Sequence, residues 1–348
     1  MAWTRHCASR TARPSEHSFR DLEPNGPIAR RRSSAVDWPI PGCVSKEFCP
    51  AGFEHHARIS NRAHTCVTGL AAALGAAIAW TSASALWRSL SSLGHSRQLN
   101  GWKNGLATVV FLPVLLGIPW LEQGRAVALL LLSGVIGIAA GDCFYLSALR
   151  RLGTRRTLTV EACGPVLAGI GSVLLMHEGM PIQAWIGAVL VTGAVTLVAQ
   201  QSGDDQSPHE SRDGLLLALI SVVCGLAGAF LARQALISSP LSPLQTASIR
   251  LFAGWLGLLP LLRGQLLPKG IAPAPAGRMV LATLLGTNLG ILLQQMVFQT
   301  LPVGQGVTLL STAPVMALLL ARVEGDRLQL SGVLAAVLAV AGVACTSL

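Results

Sequence analysis

The sequence predicts an all-α membrane protein: ten transmembrane helices arranged as two inverted five-helix repeats. Three observations predict it. Of the 348 residues 51% are hydrophobic and only 12% charged, where a soluble domain carries about 25% charged residues. From Val67 onward apolar stretches follow one another, most of them near the roughly 20 residues that a helix needs to cross the hydrocarbon. Finally, residues 286–314 repeat the skeleton of residues 137–165, 149 positions later. Gly137 falls on Gly286, Gly141 on Gly290, Leu152 on Leu301, Thr159 on Thr308 and Pro165 on Pro314. Gly and Pro punctuation held in register over such a length marks two copies of one unit.

Residues 1–66 read differently from the rest. They are polar and basic, contain ARRRSS at 29–34 and show no helical or strand period, which predicts a disordered basic N-terminal tail. No apolar core followed by a cleavage site marks a secretory signal there. Cys43, Cys49, His55, His56 and His64 fit no zinc spacing, so no metal and no cofactor are expected. Cys143, Cys163, Cys224 and Cys345 lie in apolar spans and read as small packing residues.

The spans fall near 67–87, 104–121, 126–148, 155–176, 180–200, 214–236, 244–262, 278–299, 303–321 and 328–347. Residues 67–200 form the first repeat, the polar stretch QSGDDQSPHESRD at 201–213 a linker, and residues 214–348 the second repeat. The match reaches the start of each half: Gly69 aligns with Gly214, Leu86 with Leu231, Arg88 with Arg233, and Leu112-Pro113 with Leu259-Pro260. Five helices per half is an odd number, so the second half enters the bilayer from the opposite face. Such pairs place a site near the midplane and open it to each side in turn.

The net charge of +10 is not a nucleic-acid signal, because much of it lies in the short links, where it serves topology and lipid headgroups. The odd-numbered links are the basic ones, RRLGTRR at 150–156 among them, while the even-numbered links carry Arg125 and Arg233. That bias would place both termini outside, whereas a long basic tail favours the inside. The sign of the orientation is open.

Within the spans, Gly137-x-x-x-Gly141 and Gly286-x-x-x-Gly290 give small-xxx-small faces for close helix packing. Pro165 and Pro314 each remove a backbone donor inside the fourth helix of their half; a break at that depth either exposes backbone polar groups to a substrate or is a passive kink. Asp142 and Glu161 are the sharpest signals. A carboxylate at helix centre costs about 2.5–3.5 kcal/mol on insertion scales and so faces a partner or a water-filled cavity. Their counterparts in the other half are Ile291 and Leu310, so the acids break the internal symmetry. Two readings stand: substrate or proton sites, or acids held near helix ends by the Arg150–Arg156 cluster. Asn288, Gln294 and Gln295, with Tyr145 and Thr159, add uncharged hydrogen-bonding groups at similar depth, where a single amide more often glues helices and a cluster opposite two acids suggests a site. Arg250 aligns roughly with Lys103, and snorkelling to the interface is the favoured reading for it over a counter-charge role. Glu178 and Glu324 stand just before the fifth and tenth spans, where the next helix's N-terminal dipole favours an acid.

These residues resemble the EamA family of the drug/metabolite transporter superfamily. In each half a Pro, an apolar run, a Glu and a Gly-bearing last helix succeed one another: Pro165, Glu178, Gly187 and Pro314, Glu324, Gly332. GDCFYLSALRRLG is similar to a GD-x-x-Y-x-x-AL pattern of many bacterial members and puts Asp142, Tyr145, Ala148 and Leu149 on family positions. The resemblance covers residues 67–348. The second half departs from it in the shorter run from Pro314 to Glu324, and the basic odd links disagree with the family's termini-inside habit. It implies a secondary carrier for small organic metabolites, amino-acid-like or drug-like, acting in export from the inner (plasma) membrane. The expected partners are a small-molecule substrate and the lipid bilayer, with no nucleic acid and with a homodimer left open. Two other classes remain: an intramembrane enzyme built on Asp142 and Glu161, and a passive channel. The chain carries neither H-E-x-x-H nor G-x-S-x-G, so it is not expected to be an enzyme.

Overall fold

Every regular element in the computed structural model is helical, across the residues it describes: 51–90, 96–201, 212–262, 272–316 and 330–347. The helices are α1 (Ala51–Arg88), α2 (Ser96–Val110), α3 (Leu112–Leu116), α4 (Gly124–Ser133), α5 (Gly141–Glu161), α6 (Gly164–Leu175) and α7 (Ile182–Gln201). The second half holds α8 (Arg212–Ser238), α9 (Pro243–Leu258), α10 (Pro273–Ala282), α11 (Gly290–Thr300), α12 (Val303–Leu310) and α13 (Leu330–Ser347). A π-helical stretch, Gly134–Ala140, joins α4 to α5, and another, Thr283–Leu289, joins α10 to α11. They lie at equivalent places in the two repeats, each ending at the Gly141 or Gly290 of the packing motif. The wide turn is part of the repeated unit, and π turns of this kind favour functional sites.

Among the described residues seven helical stretches are long and apolar enough to cross a bilayer: Val67–Trp87, Gly124–Ala148, Thr157–Leu175, Ile182–Gln200, Arg212–Ser238, Pro273–Thr300 and Leu330–Ser347. The first, at 21 residues, is about 31 Å long, close to the thickness of a hydrocarbon core. The expected spans 104–121, 244–262 and 303–321 are not among these seven. Phe111 interrupts the first ahead of Pro113, α9 tightens into a 3₁₀ turn over Leu259–Leu262, and Ser311–Thr312 break the third. Proline at Pro113, Pro260 and Pro314 is the physical cause, since it has no N–H for the preceding turn. The third also runs past residue 316, outside the described residues, as do residues 202–211 of the expected linker. Helical backbone begins at Ala51, so residues 51–66, expected in the tail, are helical, and residues 1–50 lie outside the described residues.

The link expected at 149–154 is helical backbone within α5, yet the chain must reverse there. Leu152 packs at Gly214, and Gly141 at Cys224 and Gly225, so the start of α5 runs antiparallel to α8. On a straight helix Glu161 would lie about 13 Å beyond Leu152, past the start of α8. Instead it bonds Ser221, two turns inside α8. In the second half Leu301 is extended and Pro302 precedes α12, which separates the two helices outright.

Exposure is reversed from that of a water-soluble protein. Leu116, Leu174, Val189, Val223 and Val340 point outward, while Ala72, Ala73, Ala76, Ala77 and Ala83 line the buried face of α1. Lipid is as apolar as leucine, so close contact between helices is made by small residues. The contacts are also exchanged between the halves. Gly137 meets Gly228 as Gly286 meets Ala83; Gly141 meets Gly225 as Gly290 meets Trp80; Gly214 meets Leu152 as Gly69 meets Leu301. The two last helices, α7 and α13, pack antiparallel, Gly187 at Thr346 and Val191 at Gly342.

Candidate functional site

The broken helices surround a cavity of about 590 Å³, within the range of small-molecule sites. α1 supplies Trp80 and Ser84, α2 Lys103 and Asn104, α5 Asp142, Tyr145 and Glu161, α9 Arg250, and α11 Gln294. Gly137 and Gly286 from the π stretches and Ser311, Ala313 and Pro314 from the break after α12 complete the wall. Asp142 and Tyr145 stand three residues apart on one helix face, at the end of the wide turn that directs them inward.

The charged groups are held unequally. Lys103 Nζ pairs with Asp142 Oδ2 at 3.3 Å, both half-buried. Glu161 Oε1 accepts a bond from Ser221 Oγ at 3.2 Å. Arg250 is 3% exposed; its Nη1 donates to Gln294 Oε1 at 3.1 Å, and its Nε has no partner. A capping box fixes the start of α9, with Ser242 Oγ accepting from Gln245 N and Gln245 Oε1 accepting from Ser242 N. Arg250 therefore sits at a defined depth, about two turns in.

Asp142, Tyr145, Glu161, Gln294 and Pro314 of the expected site residues meet on this cavity, together with Gly137 and Gly286; Gly141 lines an adjoining recess. Others do not. Thr159 faces outward. Asn288 is buried and donates to the Ala107 carbonyl at 3.0 Å, tying α2 to the π stretch. Gln295 is wholly buried away from the cavity. One residue along a helix turns a side chain by about 100°, which separates Gln294 from Gln295. Pro165 opens α6 after the turn Ala162–Cys163 rather than sitting inside a helix. Across the cavity, Thr81 Oγ1 donates to the Ala313 carbonyl at 3.0 Å, next to Pro314.

Three sequence readings change. Among the described residues Asp142 is held by Lys103, and Arg151 of the Arg150–Arg156 cluster pairs with Asp213 at 3.6 Å. Arg250 does not snorkel but lines the cavity. Glu178 serves the N-terminus of α12 rather than that of α7, accepting from Val303 N at 3.3 Å; Glu324 lies outside the described residues. Lys103, Asn104, Ser221 and Trp80 were missed. The alignment of Lys103 with Arg250 was the available signal, two cations at equivalent places in the repeat.

A helical membrane protein built from two like halves, with polar groups facing an internal cavity, is the class these features define. Residues 67–200 and 212–348 each match the EamA-like transporter family, and the chain belongs to that family. It is a multi-pass membrane transporter of the drug/metabolite superfamily. No curated protein matches it. The fold is similar to that of a crystal structure described only as that of a protein, with a TM-score of 0.65 at 16% identity, over 80% of this chain and 96% of the other.

Proposed function

We propose that the chain carries small organic metabolites, amino-acid-like or drug-like, out of the cell across the plasma membrane as a secondary transporter. Ten helices form two five-helix repeats of opposite orientation, and one repeat rocks against the other around the cavity. The exchanged contacts carry this reading. Equivalent helices that pack antiparallel, as α7 and α13 do, are related by a two-fold axis lying across the helices and not along them. Two arrangements of the halves, each the other's mirror in role, then give access from either side.

Proton coupling belongs to Glu161. Lys103 neutralises Asp142, whereas the partner of Glu161 is a hydroxyl, so Glu161 exchanges a proton without breaking an ion pair. In proteoliposomes the full chain gives saturable counterflow for members of a metabolite panel, and a pH gradient drives uptake. Glu161→Gln abolishes the pH-driven component while exchange survives; unchanged pH dependence rules out the role. Flux without saturable counterflow marks a channel and defeats the carrier reading.

A further inference from the structure

Building on that carrier reading, we infer that the cavity holds its cargo by a carboxylate, anchored on the guanidinium of Arg250. The protein contains its own comparison. Arg233, also largely buried, is paired with an acid: Nε and Nη2 reach Glu178 Oε1 at 2.9 and 2.8 Å, and Nη1 donates to the carbonyls of Phe298 and Gln299 at 2.6 and 2.9 Å. Arg250 is deeper, yet among the described residues its one side-chain bond is to a neutral amide, and its Nε is unpartnered. Among the described residues no carboxylate stands within ion-pair reach of it. Asp142 on the same wall acts on it only through space, beyond ion-pair distance. A cation taken out of water without an ion-pair partner is costly, and this one faces the cavity rather than packed protein.

The repeat sharpens the point. Lys103 occupies the equivalent place in the first half and is neutralised by Asp142. Of two symmetry-related cations on one cavity, one is paired within the chain and the other is left for the cargo. A guanidinium fork matches a carboxylate with two parallel hydrogen bonds. Asp142 and Glu161 on the same wall disfavour a multiply charged anion. Trp80, Leu251 and Ile291 beside them suit an apolar body. The carboxylate of a simple acid and that of an amino acid share this chemistry. They differ at Glu161, which an ammonium group would neutralise.

Binding of phenylacetate, phenylalanine, phenylacetamide and phenethylammonium to the detergent-solubilised full chain, read by tryptophan fluorescence, tests the assignment. Either or both carboxylates bind, with the amide and the amine about 30-fold weaker or worse, as loss of a buried charge pair implies. Phenylacetate alone identifies a simple acid; phenylalanine, bound more tightly, identifies a zwitterion. Arg250→Met weakens the carboxylates about 30-fold and leaves the amide unchanged, and Arg250→Lys falls between. Equal binding of acid and amide, binding of neither acid, or full carboxylate affinity in a folded Arg250→Met protein overturns the proposal. The wild-type comparison stands even where the variants fail to fold. Saturable counterflow with no carboxylate preference defeats this inference alone, while carboxylate binding without counterflow defeats the carrier reading alone.

Discussion

Two ion pairs in this chain have different worth because water reaches them differently. The side chains of Lys103 and Asp142 are 26% and 39% exposed, those of Arg233 and Glu178 12% and 16%. Screening limits the first pair to about 1 kcal/mol or less. The second ties α8, the turn after α6, the end of α11 and the start of α12 together. Removing one partner there leaves a buried charge and costs about 3–5 kcal/mol. Thermal melting of Arg233→Met and of Lys103→Met should therefore show a large loss for the first and a small one for the second. Equal losses would mean that the cavity pair is as dry as the packed one.

Among elements, the repeated π stretches and the glycines that end them position the site. The glycine pair is not equivalent in tolerance. A Cβ on Gly290 would stand 2.7 Å from Trp80 Cδ1, whereas on Gly141 the nearest atom is 3.5 Å away. Gly290→Ala must displace a tryptophan that lines the cavity and should destabilise by about 1–3 kcal/mol. Gly141→Ala meets ordinary contacts and gains helix propensity of about 1 kcal/mol, so it should be neutral or stabilising. Melting temperatures of the two variants decide it, and a reversed order would show that the α1–α11 contact is looser than drawn. The motif spacing treats both glycines alike; only their neighbours on the facing helices separate them.

For the whole molecule, the proposed opposite orientation of the halves has a direct consequence. Ser89 follows α1 and Ser239 follows α8, the first helix of each repeat. In a background with the native cysteines replaced by serine, Cys placed at these two positions should react with a membrane-impermeant maleimide from opposite sides. Labelling from the same side would end the inverted-repeat reading.

Much of this was legible in the chain itself. Lipid-facing helices must satisfy their own backbone and bury small residues, so composition, span length and Gly/Pro spacing declare the class and the duplication; the family entered only through the resemblance of GDCFYLSALRRLG and the repeated Pro, Glu and Gly to its members. The acids Asp142 and Glu161 announce themselves, because a carboxylate in an apolar span is costly without a reason. Partnership was not legible. Whether Arg250 snorkels or turns inward, whether Asp142 meets Lys103 or the Arg links, and which of Gln294 and Gln295 reaches the cavity depend on how helices from opposite halves face one another. Those faces are set by the antiparallel packing of α1 on α11 and of α5 on α8, contacts between residues far apart in the chain. Local pattern decides what each helix buries; the tertiary fold decides what it buries it against.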